Sequence, residues 1–325
     1  MRRLFADAID VFVEQEQGLQ RIPGLSIAVV RAGKVIKAEG YGKANVELGT
    51  PTTADTVYQL ASVTKQFIAT AILLLQQEGK LTMSDLVSQH LSETPPAWAK
   101  ITLRHLLTHT SGLVPDEPMD LTLPHTEGDA IRLVKPLPLR FPPGEKWQYC
   151  NFGFVLLGEV IRVKTNQRWD EFLDERFFRP LEMRATRRHT LRELVPNRAS
   201  GYAREGETLF NMPSWSRDFA SGGLLTTVRD LAKWDAMLRG DQILKAETRA
   251  LLFEPVVLNS GKPHPYGLGW NLSGAAGKRV AEHGGSRPGF ATHFWRELDG
   301  DRAVIVLCNF GADVGRIAHG IAQRA

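Results

Sequence analysis

Ser62 and Lys65 are the first residues in this sequence whose types and spacing suit chemistry. The apolar pattern of residues 62–78 predicts a helix that Gly79 ends. Residues three apart share a helix face, so Lys65 can reach the Ser62 hydroxyl. Burial or a neighbouring cation would lower the pKa of Lys65 and let it accept the serine proton. The start of the helix also offers free N–H groups to a developing oxyanion.

Tyr149 and Asn151 form a second motif, Y-x-N, just before a helix predicted for residues 151–164. Nearby cations depress the pKa of a phenol, so Tyr149 can take up and return a proton. The Asn151 amide can orient Lys65 or hold the carbonyl side of a substrate. The structural alternative makes Tyr149 a partly buried aromatic residue and Asn151 the N-cap of the helix.

A third motif, HGGS at residues 283–286, follows a predicted strand. Its two glycines would let a ligand approach the strand edge closely. The backbone N–H of Ser286, together with that of Ser62, would then form an oxyanion hole. His283 is either a hydrogen-bond partner or a cation beside Tyr149. The alternative is a glycine-rich hairpin turn that contains a histidine by chance.

Short strands near both ends of the chain must position these motifs. Amphipathic helices are predicted at residues 5–17 and 314–324. Between residues 79 and 254 the pattern is mainly helical. The predicted strands are residues 25–31, 34–41, 266–272, 278–283, 291–297 and 303–309, and the further helices are residues 169–178 and 228–238.

This order predicts an α/β (α+β) fold with one antiparallel sheet built from both termini and flanked by helices. The sheet domain would comprise residues 1–78 and 255–325. A mostly helical domain, residues 79–254, would be inserted between the second and third strands, with the active site between the two domains.

Composition excludes several classes of protein. The chain has 325 residues, of which 43% are hydrophobic and 23% charged, as in soluble globular proteins. Its net charge of +4 is scattered, so no nucleic-acid partner is predicted. No apolar stretch is long enough to span a membrane. Acidic residues interrupt the start, so it is not an intact signal peptide; the protein is either cytoplasmic as given, or periplasmic or secreted after processing.

Other catalytic motifs are missing from the sequence. His105 and His109 have the spacing of a zinc-binding helix, but Leu106 stands where H-E-x-x-H requires glutamate. There is no G-x-S-x-G elbow and no phosphate-binding loop. Cys150 lies between two candidate site residues, so its side chain is expected to point into the core. No metal and no organic cofactor are predicted.

The three motifs each occur once and in the order S-x-x-K, Y-x-N, H-x-G. With LLTHTSGL (106–113), FPPG (141–144), SGGLLTT (221–227) and PGF (288–290), they give the chain a resemblance to the penicillin-binding serine hydrolases. That superfamily includes class C β-lactamases, DD-peptidases, D-aminopeptidases and bacterial carboxylesterases. By this resemblance, Ser62 would be the catalytic nucleophile and Lys65 its proton partner. Tyr149 would be the general base and Asn151 a positioning amide. His283 would stand where the third motif begins.

His283 departs from the class C pattern, which has lysine there. A neutral imidazole lacks the fixed charge that holds a β-lactam carboxylate. Arg287 either supplies the missing cation or points to solvent. A small ester or peptide is therefore expected as the substrate in preference to a β-lactam. The rival hypothesis is a binding or regulatory protein with little turnover. The oligomeric state is left open, and the tentative substrate-binding residues are Gly284, Gly285, Arg287, Trp215 and Phe219.

Overall fold

The computed structural model describes residues 7–115, 126–213 and 219–325. In chain order the strands are β1 Gly24–Arg31, β2 Lys34–Asn45, β3 Thr50–Pro51, β4 Tyr58–Gln59, β5 Arg187–Arg188, β6 Gly201–Glu205, β7 Thr208–Met212, β8 Leu224–Thr226, β9 Val256–Val257, β10 Pro263–His264, β11 Asn271–Ser273, β12 Val280–Arg287, β13 Phe290–Glu297 and β14 Arg302–Cys308. The helices are α1 Ala8–Leu19, α2 Lys65–Gln77, α3 Leu103–Leu107, α4 Glu127–Val134, α5 Asn151–Thr165, α6 Trp169–Leu173, α7 Val228–Arg239, α8 Ala246–Ala250 and α9 Val314–Ala322.

The main sheet joins the two ends of the chain, which confirms the predicted architecture. Its seven strands run in the order β11-β12-β13-β14-β1-β2-β3. All the pairings between these strands are antiparallel, and Ile27 in β1 stands opposite Val306 in β14. Seven of the eight residues of β1 are buried, because helices cover both faces of the sheet at its centre.

Two apolar cores lie on opposite faces of the sheet. On one face, α1 and α9 pack with Val13, Ile317 and Ile321 against the strands. On the other face, α2, α5 and α7 contribute to a larger core, in which the Phe67 ring stacks on Trp234 at 4.1 Å between ring centroids. The α2 helix, which begins with Lys65, is thus fixed by packing along its length.

The strand predicted for residues 266–272 is wrong over most of its length. Only Asn271–Ser273 forms a strand. Gly269 has a φ of +76°, which breaks an extended chain, and the Gly267 N–H bonds back to Trp270 O at 2.8 Å. Tyr266 therefore lies on a loop whose side chain is fully buried.

The middle of the chain is not purely helical. The β4, β5 and β8 strands form a small sheet, and β6 and β7 form a hairpin. β4, β5 and β8 have only two or three residues each, too few for an alternating pattern to show in the sequence. Tyr58 pairs with Thr226 across the predicted domain boundary, and the division into two domains stays a prediction.

Two further features bear on the sequence predictions. Within the described ranges no helix combines the length and apolar character needed to cross a bilayer. Cys150 and Cys308 are both buried free thiols, and burial raises the pKa of Cys308 to about 12. These two cysteines do not form a disulfide bond.

Candidate active site

Ser62 sits on a tight turn just before helix α2. The predicted helix begins as a 3₁₀ turn, Ala61–Thr64, and becomes α-helical at Lys65. Ala61 has a φ of +53°, a left-handed conformation that is unfavourable for a residue with a Cβ. The backbone bond from Leu60 N–H to Leu224 O, at 2.8 Å, anchors the turn from the other side. Ser62 is thereby held half-exposed at the end of a buried helix.

Lys65 lies fully buried beneath Ser62. Its Nζ is 3.2 Å from Ser62 Oγ. It also donates to Asn151 Oδ1 at 2.8 Å and to the Ser221 carbonyl oxygen at 2.7 Å. The Tyr149 ring centroid lies 4.8 Å from the same nitrogen. Lys65 therefore brings together the serine and both residues of the Y-x-N motif.

The partners of Lys65 allow it to exchange a proton with Ser62. Asn151 Oδ1 and the Ser221 carbonyl only accept hydrogen bonds, so each takes an Nζ proton whatever the charge of the lysine. A charged amine then has a proton for Ser62 Oγ, and a neutral amine has a lone pair for it. One proton can pass between Ser62 Oγ and Lys65 Nζ while the hydrogen bonds from Nζ to Asn151 Oδ1 and to the Ser221 carbonyl persist.

Tyr149 and Asn151 reach the same cleft because the residue between them turns inward. Cys150 is the N-cap of α5, and its thiol donates to Val114 O at 3.2 Å inside the core. The interpretation of Asn151 as the N-cap is thus wrong, since Asn151 is the first residue of the helix. Its side chain is directed at Lys65 instead of the helix N–H groups.

His283 is buried and electrically neutral. Burial, together with the charge of nearby Lys65, lowers the pKa of His283 to about 3. The alternative in which His283 is a cation beside Tyr149 is therefore wrong. The other alternative fits, because the ring makes hydrogen bonds through both nitrogens.

A chain of hydrogen bonds sets the tautomer of His283. The Cys150 backbone N–H donates to His109 Nδ1 at 3.1 Å, so the single proton of neutral His109 is on Nε2. This Nε2 lies 3.1 Å from the Tyr266 hydroxyl, which lies 3.1 Å from His283 Nε2. At the far end His283 Nδ1 lies 2.6 Å from the Gly284 carbonyl, an acceptor only. Both ends require the same assignment: His109 donates to Tyr266, and Tyr266 donates to His283.

Burial stabilises the neutral forms along this chain. It lowers the pKa of His109 well below its usual value, an effect that the charge of Lys65 adds to. It also raises the pKa of Tyr266 well above its usual value, so the phenol keeps its proton. The three groups form a fixed, uncharged wall behind Tyr149, whose ring centroid is 4.3 Å from that of His109.

The two glycines after His283 have different roles. A Cβ on Gly285 would lie 2.6 Å from Leu60 O and 2.4 Å from Thr292 Oγ1, so this glycine lets β12 pack against the turn before Ser62. A Cβ on Gly284 would meet its nearest atom, His293 Nδ1, at 3.5 Å, an ordinary contact. The Cβ position of Gly285 thus faces the protein itself, whereas both glycines line the cleft, and close approach of a ligand to them stays a prediction.

One cleft of about 800 Å³ contains the residues that the three motifs supply. Strand β12 forms one side, with Ser286 exposed at its end, and the first turn of α5 forms another. The residues of the three motifs that line the cleft are Ser62, Tyr149, Asn151, His283, Gly284, Gly285 and Ser286. Lys65 lies beneath the cleft floor.

The remaining tentative substrate-binding residues have separate outcomes. Arg287 fits neither alternative: its Nη2 donates to Gly222 O at 2.9 Å instead of pointing to solvent, and Arg287 is not among the residues that line the cleft. Phe219 is only 5% exposed and packs in the larger core, so it is not a cleft wall. Trp215 lies outside the described residues.

Sequence reasoning missed Ser221, His109 and Tyr266. The Ser221 carbonyl holds Lys65, although the SGG segment suggests only a family resemblance and no such contact. His109 was grouped with His105 as a false zinc motif, and α3 indeed ends before His109. The HTSG segment was the available signal for His109, whereas nothing in the sequence distinguishes Tyr266 as a partner of His283.

Fold and site together define the β-lactamase/transpeptidase-like class, in which a helix-flanked antiparallel sheet carries a serine and a lysine at the start of a buried helix. The family model described as Beta-lactamase matches residues 9–324. The chain belongs to that family, which confirms the resemblance inferred from its motifs.

Among curated proteins, the chain is 27% identical over 316 residues to Protein flp of Staphylococcus aureus (strain MW2). It is 29% identical over 308 residues to Penicillin-binding protein 4* of Bacillus subtilis (strain 168). These alignments include 94% and 87% of this chain, but only 63% and 67% of the relatives. The chain therefore corresponds to about two thirds of each longer protein.

Solved structures show the same fold. The octameric penicillin-binding protein homologue from Pyrococcus abyssi superposes with a TM-score of 0.85 at 26% identity, over 97% of this chain and 76% of the other. The D-amino acid amidase from Ochrobactrum anthropi SV3 superposes with a TM-score of 0.86 at 23% identity, over 98% of both chains. The second likeness concerns the fold alone.

Proposed function

We propose that this protein is a serine acyl-hydrolase that cleaves an ester or amide bond through an acyl-enzyme on Ser62. The observation that carries the proposal is the buried Lys65 amine, 3.2 Å from Ser62 Oγ and held by Asn151 and the Ser221 carbonyl. A lysine buried for packing alone has no need of a serine hydroxyl at that distance in an open cleft.

In the acylation step, Ser62 Oγ forms a bond to the substrate carbonyl carbon. Its proton passes to the Lys65 and Tyr149 pair. The backbone N–H groups of Ser62 and Ser286 stabilise the resulting oxyanion. When the tetrahedral intermediate collapses, the bond to the leaving oxygen or nitrogen breaks, and that atom takes up the proton from Tyr149.

In the deacylation step, water attacks the acyl carbon of the Ser62 ester. Tyr149 accepts a proton from this water, and Asn151 keeps Lys65 in place beneath the serine. The bond between the acyl carbon and Oγ breaks, Ser62 regains its proton, and the carboxylic acid leaves. No step requires a group from outside the chain other than the substrate and water.

The substrate class follows from the neutral wall of the cleft. A β-lactam carries a carboxylate that favours a fixed positive charge, and His283 supplies none because burial lowers its pKa to about 3. Esters and D-amino-acid amides or peptides do not require that charge. We therefore propose a carboxylesterase or D-amino-acid peptidase with at most weak β-lactamase activity.

The test is a panel of chromogenic substrates: a short-chain nitrophenyl ester, D- and L-amino-acid anilides, and a cephalosporin. Wild type, Ser62→Ala and the exposed-surface control Ser273→Ala are compared. We expect the ester and the D-anilide to be cleaved, with cephalosporin turnover slower, and only Ser62→Ala to lose activity. Equal rates for wild type and Ser62→Ala would favour the rival hypothesis of a binding or regulatory protein.

A further inference from the structure

A second cluster of chemically active side chains adjoins the cleft, and its Glu282 is on the opposite face of β12 from His283. Glu282 of β12 lies between His293 of β13 and His319 of α9. Its Oε2 is 3.0 Å from His293 Nε2 and 2.6 Å from His319 Nε2. The catalytic proposal above uses none of these three residues.

The cluster of Glu282, His293 and His319 is largely buried on one side and exposed to solvent on the other. Side-chain exposure is 18% for Glu282 and 13% for His293, but 51% for His319. The two imidazole rings are nearly perpendicular, at 85°, and both Nε2 atoms converge on the same carboxylate oxygen. All three ligand atoms lie within 4.8 Å of one another. Of the residues that the structure describes, these form the group of His, Cys, Asp and Glu side chains compact enough to hold a metal ion.

We propose that Glu282, His293 and His319 bind a divalent transition metal of the zinc type. Two imidazoles and one carboxylate are the ligand set of many zinc sites with an open position. Bonds of about 2.0–2.2 Å at tetrahedral angles place ligand atoms roughly 3.3 Å apart. The observed 2.6 and 3.0 Å separations from Glu282 would lengthen to this value on binding, and the two histidine nitrogens lie within 4.8 Å of each other. Water from the exposed side would occupy the fourth position.

The metal would join three elements that are distant in sequence. Strands β12 and β13 are adjacent in the sheet, whereas α9 ends the chain and is capped at its start by Asp313. His293 also lines the catalytic cleft, together with residues 311–315 before and within the first turn of α9. A metal at Glu282 would thus clamp α9 to the sheet and fix one wall of the cleft, without contacting Ser62.

Cobalt(II) is the probe of choice, because its visible d–d absorption reports imidazole and carboxylate coordination directly. The full chain is titrated with Co²⁺ and then with Zn²⁺ as a competitor. We expect one equivalent of Co²⁺ to bind, with Zn²⁺ displacing it. The melting temperature should rise with Zn²⁺ concentration, because the metal binds the native state.

Two variants and one control locate the site. His319→Ala removes an exposed ligand and should weaken Co²⁺ binding about tenfold or more. Glu282→Gln keeps the side-chain shape and should have a similar effect. Gln323→Ala changes the exposed C-cap residue of α9, four residues after His319, and should bind as wild type. Absence of saturable binding, or equal affinity in His319→Ala and Gln323→Ala, would overturn the proposal and leave the cluster a plain carboxylate–histidine ion pair.

Discussion

The Tyr266 hydroxyl lies 3.1 Å from His283 Nε2 and donates the hydrogen bond that fixes the tautomer and the ring position of this neutral histidine. A residue outside every recognised motif thus determines the chemical form of the third motif. The same hydroxyl accepts from His109, so the HTSG segment and the HGGS segment are connected through one oxygen. The neutral cleft wall is a property of all three residues.

The first prediction concerns Tyr266→Phe, which removes this hydroxyl and keeps the ring. Two buried imidazoles lose their partner, so the free energy of unfolding should fall by about 1–3 kcal/mol. Ester hydrolysis should slow about tenfold, since His283 is no longer held. Tyr41→Phe is the control: it removes a hydroxyl bonded to Asp10 at 2.6 Å on the other face of the sheet. Tyr41→Phe should lose stability but hydrolyse the ester at the wild-type rate. Equal losses of rate in both variants would contradict a positioning role for Tyr266.

The second prediction concerns the proton held by Lys65. In Asn151→Asp a carboxylate replaces the amide 2.8 Å from Nζ, which favours the charged amine. The wild-type rate should rise into the alkaline range, and the rising limb should move up by about one pH unit or more in Asn151→Asp. Asn197→Asp, an exposed site elsewhere, should not move it. A profile that is flat with pH, or identical in both variants, would argue against proton exchange between Ser62 and Lys65.

The third prediction separates the two glycines of the HGGS segment. Gly285→Ala places a methyl group 2.6 Å from Leu60 O and should push β12 away from the Ser62 turn. We expect a loss of about 1–3 kcal/mol in unfolding free energy, and slower ester hydrolysis. Gly284→Ala meets only ordinary contacts within the protein, so its free energy of unfolding should be close to that of wild type. Denaturant unfolding measures the stability and ester kinetics the rate. A larger loss of stability in Gly284→Ala than in Gly285→Ala would contradict the packing role of Gly285.

The fourth prediction concerns stability at low pH. Because burial lowers the pKa of His283 to about 3, the unfolded chain binds its proton first as the pH falls below 6.5. This contribution to stability is present above pH 6.5 and decreases towards pH 3, by at most about 1.4 kcal/mol per pH unit. His283→Asn should flatten that dependence in urea unfolding measured from pH 7 to 5. Burial raises the pKa of Glu127 to about 7, which acts with the opposite sign but equally in both proteins.

An independent readout comes from histidine NMR. The His283 ring signals should not titrate between pH 7 and 5. A His283 signal that titrates near pH 6.5 would contradict the neutral wall and, with it, the argument against efficient β-lactam hydrolysis.

The sequence predicted the helices and strands in which a periodic apolar pattern extends over many residues. The helix beginning near Ser62, five of the seven strands of the main sheet and the assembly of this sheet from both termini follow from apolar patterns of six or more residues. The strand predicted at 266–272 failed because Gly269 adopts a positive φ, which an apolar pattern does not reveal. The two- and three-residue strands of the middle region were missed because two or three positions are too few to show a periodic pattern.

The placement of the site residues could be anticipated from motifs, but their partners could not. Y-x-N brings Tyr149 and Asn151 to one cleft because Cys150 alternates inward, which is a local effect. The carbonyl of Ser221 and the hydroxyl of Tyr266 reach the site from loops distant in sequence. Such contacts depend on how the chain folds back, so no spacing rule predicts them.

The central claim is that Ser62 forms a covalent acyl-enzyme, and intact-protein mass spectrometry tests it most directly. The full chain is incubated with a fluorophosphonate and, separately, with an activated ester under rapid quench, alongside Ser62→Ala. We predict a single adduct on wild type, located to Ser62 by peptide mapping, and none on Ser62→Ala. An adduct on another residue, or no adduct with either reagent while the protein is folded, would contradict the mechanism.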